Sequence, residues 1–452
     1  MTKKSNGSLS RPLFSEPTFN EDTNTVDPTG FLTPHPGDQQ LYNQISSLLT
    51  TQTTTFDQSR LPDGEFMTLE EVYGDHGKEV TGLINAAGKI IFHVIGDSGA
   101  SVAGKKYQNE LSVADQVTLD TATSDKSNHP SFGFHLGDVV YDFGEKQYYY
   151  DQFYEPFRNY PLPIFALPGN HDSFITPGTK PADEPLKTFE RNFCSEALVI
   201  TPEARSLHRT AMQQPGVYFT LDAPYVRIIG LFSNGLEDPG VISSQAGQKK
   251  KWPNVPDFQL AYLAAQLKNI KDSAYKGAVL LAVHHPPFSY APPPNQAGKA
   301  GSHGSSTDML HDIDTICTKA GVYPHAILSA HAHNYQRYTR EIKFAGQDYD
   351  VPMIVCGDGG HNVNPLVRGK KGQPAVEPHP GISVKYLEKN SAVTVTDLIL
   401  EKYEDHNYGY LRVTVDDKLL RIAFHQAGVN SLAQSRFDLV TVDLVSHQMV
   451  AN

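Results

Sequence analysis

Five times along this chain a short apolar run of strand length gives way to a cluster of glycine, aspartate, asparagine or histidine, and this rhythm constrains the fold more than any other feature. The clusters are Gly96-Asp97-Ser98-Gly99, Gly137-Asp138-Val139-Val140-Tyr141, Gly169-Asn170-His171-Asp172, His284-His285-Pro286 and His331-Ala332-His333. Runs rich in β-branched residues alternate with longer amphipathic stretches, the pattern of an α/β fold. In such folds ligands bind in the crevice beyond the carboxyl ends of the strands, where the five clusters would meet.

The periodicity predicts strands over 89–95, 132–136, 163–167, 225–231, 278–283 and 326–329, with hairpin-like strands over 353–356, 410–415, 419–424 and 439–444. Helices are predicted near 109–122, near 146–157 with Pro161 ending it, near 256–271 and near 307–319. Residues 1–65 read as a polar arm, rich in Thr, Ser, Pro, Asn and Gln, that wraps the domain or stays mobile; residues 66–452 read as one domain. No apolar run approaches the roughly 18 residues of a membrane span.

Charged residues make up 19% of the 452, and Lys+Arg 38 against Asp+Glu 50 leaves a net charge of −12. That balance argues against a nucleic-acid-binding surface, and the basic runs 249–251 and 368–371 are short enough to be solvated loops. Three cysteines, Cys194, Cys317 and Cys356, form neither a disulfide framework nor a metal-ligand spacing, which fits a reducing compartment. The N-terminal stretch has a basic start without an apolar core, so no secretory signal is visible. A cytoplasmic location is therefore the expectation, unless a leader was trimmed before Met1. No feature specifies an oligomeric state.

Carboxylate, carboxamide, phenol and imidazole without a thiolate suit metals such as iron, manganese and zinc. Two such ions roughly 3.5–4 Å apart need a ligand that reaches both. Asp138, after a glycine at a strand end, is the candidate bridge. His331 and His333 would share one face of an extended strand, but on a loop they can diverge towards two metals.

In this order the clusters resemble the metallophosphoesterase superfamily, and within it the purple acid phosphatases, whose motifs run DxG, GDxxY, GNH with a following acidic residue, a strand-end His, and GHxH. The resemblance spans about residues 88 to 360 and extends more weakly beyond. It implies a metallophosphoesterase-type β-sandwich of two mixed sheets flanked by helices, four layers in the order αββα. It further implies that Asp97, Tyr141 and His333 hold a first metal, typically Fe(III), while Asn170, His284 and His331 hold a second, typically Fe, Zn or Mn in the divalent state, with Asp138 between them. Relatives outside the purple group usually carry DxH; here Gly99 cannot ligate and Tyr141 takes over. The departure is Ala330, where the family usually has Gly. The implied reaction is hydrolysis of a small-molecule phosphate ester by a metal-activated hydroxide, with a His protonating the leaving alcohol. His171 and His303 are the candidates, His303 on a Pro/Gly-rich rim loop over 289–303. Monoesters are the expected substrates, phosphodiesters such as cyclic nucleotides the alternative.

Blander readings stand beside these. His93 and His135 lie inside apolar strands and read as core histidines, His361 follows a strand and could approach the site but reads first as a turn residue, and Tyr141 could be a packed aromatic. His285 could replace His284 as ligand, although the His-x-Pro spacing selects His284. Ser98 could be the nucleophile of a serine esterase with Asp308 and His311 as partners, which would leave four clusters idle. A non-catalytic metal-binding relative is a further alternative, but such relatives usually lose ligands and all seven are present.

Overall fold

The computed structural model describes residues 42, 44, 49, 51, 53–100, 105–174, 186–205, 207, 209–245, 252–290, 303–366, 380–384, 391–428 and 435–451. Most of the expected arm, most of the expected rim loop and both basic runs lie outside these residues.

Sixteen strands are described: β1 (Met67–Thr68), β2 (Lys89–Ile95), β3 (Gly133–His135), β4 (Ile164–Ala166), β5 (Phe219–Ala223), β6 (Val226–Leu231), β7 (Ala278–Val283), β8 (Ala326–Ser329), β9 (Tyr335–Phe344), β10 (Gln347–Cys356), β11 (Ile382–Ser383), β12 (Thr394–Glu404), β13 (Gly409–Asp416), β14 (Leu419–Gln426), β15 (Arg436–Asp443) and β16 (Met449–Val450). They form a nine-stranded sheet in the order β1-β5-β6-β7-β8-β10-β9-β12-β11 and a seven-stranded sheet in the order β16-β15-β14-β13-β2-β3-β4. Both are mixed: β2, β3 and β4 are parallel beside antiparallel β13, and β6, β7, β8 and β10 are parallel beside antiparallel β5 and β9.

The two sheets pack face to face. Phe134 and Phe165 of the smaller sheet meet Phe219 of the larger, with centroids at 6.0 and 6.3 Å, and Tyr335 on β9 stacks on Phe424 of β14 at 4.1 Å. Each ring fully removed from water contributes about 1.5–3 kcal/mol. The parallel strands are buried on both faces, so β7 (AVLLAV) is apolar throughout; β13 alternates buried and half-buried residues. Helices α1 (Gly77–Ala87) and α2 (Lys105–Thr121) flank the smaller sheet, and α3 (Phe258–Asp272) and α4 (Thr307–Ala320) flank the larger, completing four layers. Among the described residues no helix is long and apolar enough to cross a membrane. All three cysteines are free and buried.

Strands β2, β7 and β8 run as the sequence predicts, but the helix expected near 146–157 does not form. Its place is taken by a 3₁₀ turn at Lys146–Tyr148 and a π-helical turn at Tyr150–Tyr154, closed by Glu155 N–H donating to Tyr150 O at 2.8 Å. Pro156 has no N–H to give Gln152 and so stops an α-helix earlier than Pro161 would. Residues Tyr149 to Tyr154 are buried on every side, so no polar face exists for an amphipathic helix to present. Strands β9 and β12 were not anticipated. Of the N-terminal stretch, Leu49, Thr54 and Phe56 are buried, and Thr54 is tied to Asn234 by two backbone-to-amide hydrogen bonds of 2.8 and 2.9 Å.

Candidate metal centre

The five clusters do meet, at one end of the sandwich. Strands β2, β3 and β4 of one sheet deliver Asp97, Asp138 and Asn170, and strands β7 and β8 of the other deliver His284, His331 and His333. Four of these residues hold positive φ: Asp97 at 54°, Asp138 at 56°, His331 at 67° and His333 at 46°. Left-handed backbone is costly for side chains with a Cβ, and such strain concentrates where function requires a direction that ordinary backbone does not give. Ala330 is not among the positive-φ residues, so the Ala-for-Gly departure costs nothing in backbone strain.

Each aspartate spends one oxygen on backbone and offers the other inward. Asp97 Oδ2 accepts from His331 N–H at 2.6 Å, and Asp138 Oδ1 accepts from His171 N–H at 2.9 Å. Asp97 Oδ1 then faces Tyr141 Oη at 3.1 Å and His333 Nε2 at 3.4 Å, while Asp138 Oδ2 faces Tyr141 Oη at 2.9 Å and His284 Nε2 at 3.3 Å. Asn170 Oδ1 lies 2.9 Å from His284 Nε2. Two donor groups result, each with atoms within 4.8 Å of one another: Asp97, Asp138 and His333, and Asp138, His284 and His331. Asp138 belongs to both.

These residues suit cations. Two carboxylates are wholly buried, and what hydrogen-bonds to them is backbone N–H, a phenol and imidazole. The Nδ1 of His331 is buried without a hydrogen-bond partner, while its Nε2 bonds Glu237 O at 2.7 Å, an arrangement that leaves Nδ1 to a metal. Burial, followed by the neighbouring His303, His285 and His284, pushes His331 well below the usual imidazole range, so it is neutral and can ligate. Burial and the two aspartates push the Tyr141 phenol up, and burial would lower His284 but Asp138 raises it to about 9. A bound cation reverses both tendencies and favours the deprotonated ligand.

Two glycines make the geometry possible. A Cβ on Gly169 would stand 2.0 Å from Asp138 Oδ1, and one on Gly99 would meet Gln152 Oε1 at 2.7 Å and the Tyr141 ring at 3.0 Å. Gly99 therefore does more than fail to ligate: it leaves room for the phenol. Gln152 fixes Tyr141 through both backbone groups, at 2.8 and 2.9 Å, which is what the π-turn accomplishes. Asp172 accepts from Val139, Val140 and Gly169 N–H and so ties two of the loops together; burial and Asp138 raise it to about 7.

The remaining histidines separate cleanly. His285 is bonded at both nitrogens, to Ser233 Oγ at 2.8 Å and Leu236 O at 2.7 Å, and is no ligand. His93 is bonded to Asp120 and Tyr160 in the core. His135 Nδ1 accepts from Gly137 N–H at 3.1 Å, so its proton sits on Nε2 and points at Ser98 Oγ, 2.9 Å away. An imidazole that donates to a serine cannot be its general base, so His135 does not activate Ser98. His361 is more than the turn residue expected. It stacks on Tyr141, bonds Gly99 O through Nδ1 at 2.7 Å, and donates its N–H to Asp97 O. His171 and His303 both border the centre: His171 Nδ1 donates to Asp142 O at 2.8 Å, and the His303 ring lies 4.1 Å from that of His331. His303 Nδ1 is 3.3 Å from Asp238 Oδ2; burial would lower its pKa, but Asp238 raises it to about 9. Neither Asp238 nor Glu237 carries a sequence signal, since both precede a proline in what reads as an ordinary loop.

The model of the calcineurin-like phosphoesterase family matches residues 92–335, more than half of the chain, and the protein belongs to that family. It is a metallophosphoesterase, and its family implies divalent metal ions. No curated protein matches the sequence. Among solved structures it is similar to a purple acid phosphatase, PPD1, from yellow lupin (Lupinus luteus) seeds, at 16% identity and a TM-score of 0.46 over 78% of this chain and 54% of that one. It is also similar to PhoD, at 10% identity and a TM-score of 0.43 over 80% of this chain and 72% of that one. The chain thus spans about half the length of the lupin enzyme.

Proposed function

We propose that this phosphoesterase hydrolyses phosphate monoesters at a centre of two metal ions. Asp97, Tyr141 and His333 hold the first, Fe(III); Asn170, His284 and His331 hold the second, divalent Fe, Zn or Mn; Asp138 joins them. The observation that carries the reading is the position of Asp138 Oδ2, which faces Tyr141 on one side and His284 on the other. When bound, the two cations supply an activated water and neutralise charge developing on the phosphate oxygens.

The chain's own groups do the rest. His171, its Nδ1 held by the Asp142 carbonyl, keeps Nε2 for a phosphate oxygen. His303, its Nδ1 held by Asp238, keeps Nε2 for the leaving-group oxygen and delivers the proton there. Residues 66–452 form the catalytic domain, to which Tyr42, Leu49 and Thr54 add contacts. Initial rates on monoesters, diesters and nucleotides, with metal content measured on the same preparations, test the proposal. Turnover of alkyl and aryl monoesters above diesters is the expected result. Preference for diesters would overturn monoester specificity, and activity independent of metal would overturn the centre.

A further inference from the structure

The second donor set contains a group whose direction must be fixed from outside. Asn170 can ligate only through Oδ1, yet its carboxamide has nearly the same shape when turned by half a revolution, and that turn would present Nδ2 to the metal. What prevents it is Glu237. Asn170 Nδ2 donates to Glu237 Oε2 at 3.3 Å while Oδ1 faces His284 Nε2 at 2.9 Å; the turned amide would set its oxygen against the carboxylate. Tyr42 donates to the other oxygen of Glu237 at 2.7 Å and stacks on His171 with centroids 5.5 Å apart. The main chain of Glu237 is tied at both ends too: its carbonyl bonds His331 Nε2, and its N–H donates to Leu49 O at 2.9 Å.

We infer that Glu237, steadied by Tyr42 from the N-terminal stretch, is a positioning residue that orients the Asn170 carboxamide and thereby sets metal affinity at the second site. The inference rests on the dinuclear reading above. It assigns residues before the family match a part in the centre: Tyr42 and Leu49 lie outside 92–335, yet both bond to the residue that touches Asn170 and His331.

The test is titration of the chelator-stripped full chain with Zn(II) against a chromophoric competitor, reading two dissociation constants. Outer groups that orient a ligand are worth roughly 10–100-fold in affinity, so Glu237→Ala should weaken one constant by about that factor and leave the other within about two-fold. Glu237→Gln should recover most of the loss, because its remaining oxygen can accept from Asn170 while its amide turns to the Tyr42 hydroxyl. In an Asn170→Ala background, Glu237→Ala should add nothing, since the group it orients is gone. Equal Zn(II) affinity in wild type and Glu237→Ala, or a full further loss in that background, overturns the inference. Should Glu237→Ala fail to melt cooperatively, Tyr42→Phe decides: a several-fold loss at the same site supports the inference, and unchanged binding overturns it. Wild-type chain that takes up fewer than two Zn(II) would instead sink the dinuclear reading itself.

Discussion

The rings of Tyr141 and His361 lie face to face, with centroids 3.5 Å apart and planes 10° from parallel. His171 closes the other side at 4.2 Å, so the phenol is held between two imidazoles while its oxygen points at Asp97 and Asp138. A phenolate fixed in this way on Fe(III) should give visible absorbance. Tyr141→Phe should bleach the iron-loaded protein, and His361→Ala should keep the band but shift it, because the ring loses one wall. Spectra of the three proteins at equal iron content decide this; an unchanged band in Tyr141→Phe would return the residue to a packing role.

If Asp138 serves both donor groups, Asp138→Ala should lower metal at both sites, whereas His284→Ala should lower only one. Elemental analysis should find about two transition-metal atoms per wild-type chain. Loss of a single equivalent in Asp138→Ala would show that the carboxylate is not shared.

What the sequence made legible follows from where its constraints are local. The five clusters follow strands whose apolar run and abrupt polar stop can be read in one dimension, which is why β2, β7 and β8 and the meeting of the clusters at one end of the sandwich were legible. The residues that orient those groups were not, because Glu237, Asp238 and Tyr42 reach the centre only through tertiary packing and lie in segments of no distinctive pattern. His361 was underrated for the same reason: its role depends on Tyr141, more than two hundred residues earlier. The π-turn was hidden behind aromatic spacing that imitates a helix, although Pro156 was there to forbid one.

Gly169 carries a sharp steric prediction. Gly169→Ala would place a methyl 2.0 Å from Asp138 Oδ1, so the loop or the carboxylate must move and metal retention should fall well below wild type. Gly82→Ala is the control: it is exposed on α1 with nothing within 4 Å of the added carbon and should raise stability by about 0.5–1 kcal/mol. Equal metal retention in the two variants would show that the Gly169 contact relaxes without cost.

Across the sandwich, Arg337 donates to Asp438 at 2.6 and 3.1 Å, and Tyr335 Oη donates at 2.7 Å. Burial would raise the Asp438 pKa, but these partners hold it below the ordinary 3.8. A depressed carboxylate adds stability that is complete above the unfolded value and is lost as pH falls through the folded one. Asp438→Asn should therefore cost roughly 1.5–3 kcal/mol at neutral pH and progressively less below about pH 4. Chemical denaturation of both proteins from pH 7 to pH 3 measures the gap; a constant gap would mean that the charge contributes nothing.

His303 supplies the last test, because its placement separates proton delivery from phosphate binding. Its Nδ1 is engaged by Asp238 at 3.3 Å, and its ring lies 4.1 Å from His331, beside the centre but outside both donor groups that share Asp138. An alkoxide leaves poorly without a proton, and a positioned acid is worth roughly 10²–10⁴-fold, whereas an activated phenolate departs unaided. His303→Ala should thus keep its metal content, lose kcat by about that range on alkyl phosphates, and lose far less on aryl phosphates with acidic phenols. Asp238→Asn should follow the same pattern more weakly, since the imidazole remains but its orienting carboxylate is gone. If His303→Ala loses activity equally on both ester classes, the residue binds phosphate instead, and if it loses none, the proton must come from His171, whose Nε2 is the other nitrogen left available.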